Sequence, residues 1–266
     1  MKKVLVVFIF FIALSGCNVS EYSPNQKFNN TTATDVNAKQ ISRLPYKPIG
    51  ASVRIAVSGD TQRKYHEAQQ FVDHINSRND IDFVFLNGDI SDFGLLLEFD
   101  GIYQIYSKLR VPFISIIGNH DHLANGDDVY KRMFGEFNFT FNYAGIKFIC
   151  HDSNSREHNF DGTVPDLDWL KKNLTLDSGV QHLLAISHVP PTDFDFDPAL
   201  RERYETLFNN TPGMLASIHS HQHSEDLIYR QDGSGIPFLI TNAVVNRAYT
   251  IINIKDAKFT AEAVHF

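Results

Sequence analysis

Asp60 and Gln62, Asp89 and Asp92, Asn119 and His120, His188, and finally His221 and His223 each stand just after the end of a short apolar run. Taken singly they are ordinary. Asp after Gly is a common turn residue, and an isolated His is most often a satisfied structural group. Taken together they offer carboxylate, amide and imidazole donors sufficient to hold two divalent cations.

The elements that must position them follow from the apolar pattern. Residues 53–57 form a β-branched run ending in Ser58-Gly59-Asp60, 83–86 a second ending in Asn87-Gly88-Asp89, and 112–117 a third ending in Gly118-Asn119-His120-Asp121. Between them, 64–78 and 94–109 carry helical spacing, so strand, helix, strand, helix, strand reads as parallel α/β. Further on, 139–143 and 146–151 predict a hairpin around Ala144-Gly145, 165–175 a helix, 183–187 a strand ending at His188, and 198–208 a helix. Four short strands are expected from about 214 onward. The expectation is one α/β domain with a mixed or doubled sheet. In open α/β sheets, sites gather beyond the carboxyl ends of the strands, so the residues named above should converge.

The pieces Gly59-Asp60-Thr61-Gln62, Gly88-Asp89-Ile90-Ser91-Asp92, Gly118-Asn119-His120-Asp121, His188-Val189-Pro190-Pro191 and Ser220-His221-Gln222-His223 resemble, in this order, the motifs of the calcineurin-like metallophosphoesterase superfamily. That resemblance implies a β-sandwich of two mixed sheets flanked by helices (αββα). It also implies hydrolysis of a phosphate mono- or diester by a hydroxide held between two cations. Carried over by position, Asp60, Gln62, Asp89 and His223 would hold one cation. Asp89, Asn119, His188 and His221 would hold the other, with Asp89 shared. A shared carboxylate suits cations about 3.5–4 Å apart, the spacing for in-line displacement at phosphorus. His120 would assist the leaving group and Asp92 would orient His120. Asn119 would also touch substrate, and His151 and Asp152 would approach it.

Two positions depart from the family pattern. Gln62 stands where His is usual, and an amide oxygen biases the site away from Zn toward Mn, Mg or Fe. Ser220 replaces a Gly, a change of little consequence unless the backbone there needs positive φ. His219, His221 and His223 alternate, so in an extended segment all three would share one face, and a register using His219 is an alternative. No Arg or Lys stands inside the motifs, which leaves anion binding to the cations. In 192–197, acid alternates with aromatic, a pattern that would favour a cationic headgroup near the phosphate. Cys150, within an apolar strand, is expected to be an inert core thiol.

The amino terminus reads differently. Lys2 and Lys3 precede an unbroken apolar run over 4–14, too short for a membrane span of about 20 residues but suited to a signal peptide. It ends in Leu14-Ser15-Gly16-Cys17, which resembles the lipobox of bacterial lipoproteins. The expected division is a signal peptide over 1–16, a lipidated, flexible tether over 17–50 with Cys17 carrying the lipid, and the phosphoesterase domain over 51–266. That resemblance implies a place in the bacterial cell envelope, lipid-anchored to a membrane outside the cytoplasm.

Composition narrows the field. Of 266 residues, 43% are hydrophobic and 21% charged, which is globular usage. Lys plus Arg is 24 and Asp plus Glu 31, a net charge of −7 that argues against nucleic-acid binding. The expected partners are therefore a phosphoester substrate and a membrane. An alternative function is a catalytically silent, metal-binding lipoprotein that binds a ligand or partner. An amidohydrolase is disfavoured, because its barrel needs more βα repeats than the sequence carries.

Overall fold

The computed structural model describes residues 28–223 and 235–266. The expected signal peptide and Cys17 lie outside the described residues. Strands β1 (Val53–Ser58), β2 (Phe83–Asn87) and β3 (Phe113–Ile116) pair in parallel, and β9 (Ala248–Lys255) and β10 (Lys258–His265) extend the sheet antiparallel, in the order β10-β9-β1-β2-β3. The second sheet runs β4-β5-β6-β7-β8, with β4 (Phe139–Tyr143), β5 (Ile146–Cys150), β6 (His182–Ile186), β7 (Met214–His219) and β8 (Phe238–Ile240). Only β4 and β5 are antiparallel there. The four carboxy-terminal strands and the hairpin match the sequence pattern.

Both faces of the sheets are covered at their centres, which is why β2 and β5 are buried along their whole length rather than alternating. Ile55, Val57, Phe83 and Phe85 face Phe148, Leu184 and Ile186 between the sheets. Phe83 is central, with the rings of Phe85, Phe141, Tyr143 and Phe148 at 5.3–6.0 Å. The opposite face of the first sheet, through Ala56, Val84 and Leu86, packs on α2 (Tyr65–Ser77), α3 (Leu96–Tyr106) and α4 (Gly126–Met133). Helix α2 buries Ala68, Phe71, Val72 and Ile75, one face at i, i+3, i+4, i+7. The outer face of the second sheet packs on α5 (Leu167–Asn173) and α6 (Pro198–Asn209). The result is the expected αββα sandwich. Helix α6 begins with Asp197 capping Ala199 N at 2.8 Å and Pro198 in the first turn.

Two elements differ from the sequence expectation. Helix α4 lies in a stretch to which the sequence pattern assigns no element; it is only eight residues long, and its apolar face is Val129, Tyr130 and Met133. The segment expected to be a tether is folded over its described part. Helix α1 (Val36–Ile41) lies along the edge of β3 and buries Val36, Asn37 and Gln40. Asn37 Oδ1 accepts from Ser115 N at 2.7 Å and its Nδ2 donates to Ser115 O at 2.9 Å, so a side-chain amide pairs with the edge strand in place of another strand. Such pairing has no hydrophobic period and leaves no trace in the sequence pattern.

Candidate metal centre

The loops after β1, β2, β3, β6 and β7 meet at one end of the sandwich. Asp60 leaves β1 with φ 56°, Gln62 follows at 40°, Asp89 leaves β2 at 52°, and His221 and His223 after β7 stand at 71° and 50°. Left-handed backbone at a non-glycine residue costs about 1–3 kcal/mol each, and such strain concentrates at functional sites. The loops hold one another in it. Asp60 N donates to Gly88 O at 3.1 Å and Gln62 N to Asp89 O at 2.9 Å. Asp121, fully buried, accepts from Gly118 N at 2.9 Å, Ile90 N at 3.2 Å and Ser91 N at 2.8 Å, tying the second and third loops together. Gly88 is required: its φ is +82°, and a Cβ there would run into the His188 ring.

This scaffold gathers six of the candidate donors. His188, at the end of β6, is completely buried and donates from Nδ1 to Asn87 O at 2.8 Å. Its Nε2 is the nitrogen left over, 3.3 Å from Asp89 Oδ1 and 3.8 Å from Asp60 Oδ1, and makes no hydrogen bond to either. Asp60 Oδ2 is likewise buried and unpartnered, while Oδ1 lies 3.0 Å from His223 Nε2. His221 Nδ1 lies 3.0 Å from Asn119 Oδ1. The Gln62 amide is at the rim, with Nε2 3.5 Å from Asp89 Oδ2.

The electrostatics call for positive charge at this point. Burial opposes ionisation of the Asp89 carboxyl, yet His188 and His120 outweigh it and hold it at about 2. Burial likewise opposes charge on His188, but Asp89 and Asp60 push it up to about 10. Two orphaned, buried donor atoms inside that field, surrounded by carboxylate, imidazole and amide oxygen, fit a divalent cation.

His120 stands beside this cluster on a 3-10 turn, His120–His122, with Nε2 4.0 Å from Asp89 Oδ2. Its Nδ1 meets Asp92, and the Asp92 carboxylate also pairs with Arg63 at 2.6 Å. Arg63 adjoins Gln62, just outside the motifs, so motif reading passed over the cation that the fold brings to the rim.

Three expectations are corrected. His219 is buried inside the second sheet, its Nδ1 3.0 Å from Ser187 Oγ and its Nε2 2.9 Å from Ser217 Oγ, so both nitrogens are engaged away from the site. It does not share a face with His221 and His223 because the chain leaves the strand after His219 and turns left-handed. Ser220, by contrast, is outside the left-handed set and accepts from Asn87 Nδ2 at 2.9 Å, so the lost glycine was not needed. His151 and Asp152, expected near substrate, are buried: His151 Nε2 meets Tyr204 OH at 2.9 Å, and Asp152 faces His122 at 3.3 Å. The acid–aromatic loop turns its carboxylates inward and only Phe194 outward, so no anionic cradle faces solvent. Asp193 and Asp195 each lie 3.5 Å from His221 Nε2, behind the ring.

A family model described as Calcineurin-like phosphoesterase matches residues 53–225. Tartrate-resistant acid phosphatase type 5 of Oryctolagus cuniculus is 23% identical over 184 residues, covering 58% of this chain and 55% of that protein. A probable glycerophosphodiester phosphodiesterase GpdQ of Arcobacter nitrofigilis is 29% identical over 168 residues, covering 56% of this chain and 60% of that protein. The chain thus spans little more than half the length of these curated relatives. A dimetal phosphatase from Danio rerio superposes with a TM-score of 0.63 at 13% identity, over 82% of this chain and 98% of the other, a likeness of fold.

Proposed function

We propose that this chain, which belongs to the calcineurin-like phosphoesterase family, hydrolyses a phosphate mono- or diester at a dinuclear centre. In this reading Asp60, Gln62, Asp89 and His223 hold one divalent cation and Asp89, Asn119, His188 and His221 the other. The observation that carries it is the pair of buried, unpartnered atoms Asp60 Oδ2 and His188 Nε2, set between carboxylates in strained loops. When bound, such cations neutralise phosphate oxygens and lower the pKa of water.

The chain's own residues do the rest. His188 is fixed in one tautomer by Asn87 O, so its Nε2 stays available as a donor atom. Asp193 and Asp195 stand behind His221 and favour the orientation that turns Nδ1 toward Asn119. His120 donates from Nδ1 to the Asp92 carbonyl, which leaves Nε2 as the atom that delivers a proton to the leaving oxygen. Burial disfavours charge on His120, but Asp89 leads the groups that raise its pKa, which favours the protonated ring. Half-exposed His120 is reachable by a substrate; fully buried His188 is not.

The same reading places the protein in the bacterial cell envelope through a lipid on Cys17, supported by the apolar run over 4–14 and the Leu14-Ser15-Gly16-Cys17 sequence. The test is turnover of nitrophenyl phosphate and bis(nitrophenyl) phosphate by the full chain with added Mn2+, Fe2+, Zn2+ or Mg2+. Cation-dependent hydrolysis that falls in His120→Ala supports the enzyme. Absent turnover under every cation, with the fold intact, would assign the chain instead to metal-dependent binding of a ligand or partner.

A further inference from the structure

A second cluster of donors lies outside the residues assigned above. His122, at the end of the 3-10 turn after β3, has Nδ1 2.8 Å from Asp127 Oδ1, which fixes the ring and turns Nε2 toward Asp152. Asp152, after β5, is oriented in turn. Its Oδ1 accepts from Asn154 N at 2.8 Å and Asn154 Nδ2 at 2.7 Å. Its Oδ2 is left facing two imidazoles, 3.3 Å from His122 Nε2 and 3.6 Å from His158 Nε2. A ligand atom from each of His122, Asp152 and His158 lies within 4.8 Å of the others.

Independent observations point to a ligand at this place. His158 Nε2 is buried and makes no hydrogen bond, although an imidazole nitrogen shut off from water ordinarily has a partner. Asn154, itself fully buried, has an unpartnered Oδ1, and its amide lies 3.3 Å from His122 Nε2. A carboxylate behind an imidazole whose other nitrogen points at a further donor is the outer-sphere arrangement of histidine metal ligands.

We propose that His122 Nε2, Asp152 Oδ2 and His158 Nε2 form a separate, mononuclear cation site, stapling the loop after β5 to the turn after β3. Two imidazoles and one carboxylate suit Zn2+, with solvent completing a tetrahedron. The site is independent of the phosphoesterase reading, sharing none of its residues. The competing arrangement is cation-free: His122 as an imidazolium held between Asp127 and Asp152.

The test is Zn2+ stoichiometry of the full chain, stripped by chelator and re-equilibrated with Zn2+ alone. His158→Ala should bind one Zn2+ per chain fewer than wild type. His223→Ala should retain the ion that His158→Ala loses. An unchanged count in His158→Ala overturns the proposal. His158 is 30% exposed on a short turn, so its truncation should leave the fold standing. A second measurement covers misfolding of the variant: nitrogen NMR of wild-type His122 at saturating Zn2+. An unprotonated, zinc-shifted Nε2 supports the site, and protons on both nitrogens overturn it.

Discussion

The main-chain carbonyl of Asp92, not its carboxylate, takes the close contact with His120: Nδ1 is 2.8 Å from the carbonyl oxygen and 3.6 Å from Oδ1. The carboxylate is engaged elsewhere, 2.6 Å from the guanidinium of Arg63. A backbone carbonyl orients the ring as firmly as a carboxylate would, but it survives any side-chain substitution. Asp92→Asn should therefore lower kcat by less than about tenfold, while His120→Ala removes a proton donor worth about 10²–10⁴. Nitrophenyl ester hydrolysis with the best cation compares the two. Equal losses would return the orienting role to the carboxylate.

Gly88 lets the second loop approach the ring of His188, and its backbone is left-handed at φ +82°. Gly88→Ala combines strain with collision, so stability should fall by about 1–3 kcal/mol and cation binding with it. Urea unfolding and elemental analysis read the two effects together.

In the proposed centre Gln62 is an amide at the position where the family resemblance implies an imidazole. Gln62→His should shift the preference of the centre toward Zn2+ over Mn2+. The ratio of turnover with the two cations, before and after substitution, measures this; an unmoved ratio would show that Gln62 is not a ligand.

The pair His122 and Asp152 sets a pH dependence. Burial disfavours charge on His122, but Asp152 and Asp127 push its pKa up to about 10. Burial would raise Asp152, but His122 leads the groups that hold it well below the usual carboxylate range. The folded pKa of His122 exceeds its unfolded value of about 6.5, so its stabilisation is complete below that pH and is lost as pH climbs toward about 10. Asp152 contributes above about pH 4 and its part is lost on acidification. In chelator-treated protein, the melting temperature should fall more between about pH 6.5 and 9 in wild type than in His122→Gln. With Zn2+ on these residues the trend should weaken, because the ion requires an unprotonated Nε2. Parallel melting curves for wild type and variant would refute the ion pair.

Asn37 tests whether the stretch before β1 belongs to the fold. Asn37→Ala leaves the buried N–H of Ser115 without its partner and its C=O with Tyr130 OH alone, at 2.9 Å, a loss of about 1–3 kcal/mol. Removing residues up to 50 should lower the unfolding midpoint further although it deletes no residue of the metal centre. An unchanged midpoint in both would restore the tether.

The features legible along the chain are those that chemistry dictates at short range. The first three strand ends carry Gly with Asp or Asn at Asp60, Asp89 and Asn119, where a sharp exit and a donor atom sit within a few residues of each other, and His188, His221 and His223 follow later strands. The short, continuous apolar runs likewise place most of the strands. Packing in three dimensions sets which neighbours those groups meet. It turned His219 into the second sheet, gave the Asp92 carboxylate to Arg63, set Asp193 and Asp195 behind His221, and laid Asn37 along β3. The physical reason is distance along the chain: Asn37 meets Ser115 across 78 residues and His221 meets Asn119 across 102. Such contacts follow from how two sheets and their helices pack, and no local period or spacing encodes them.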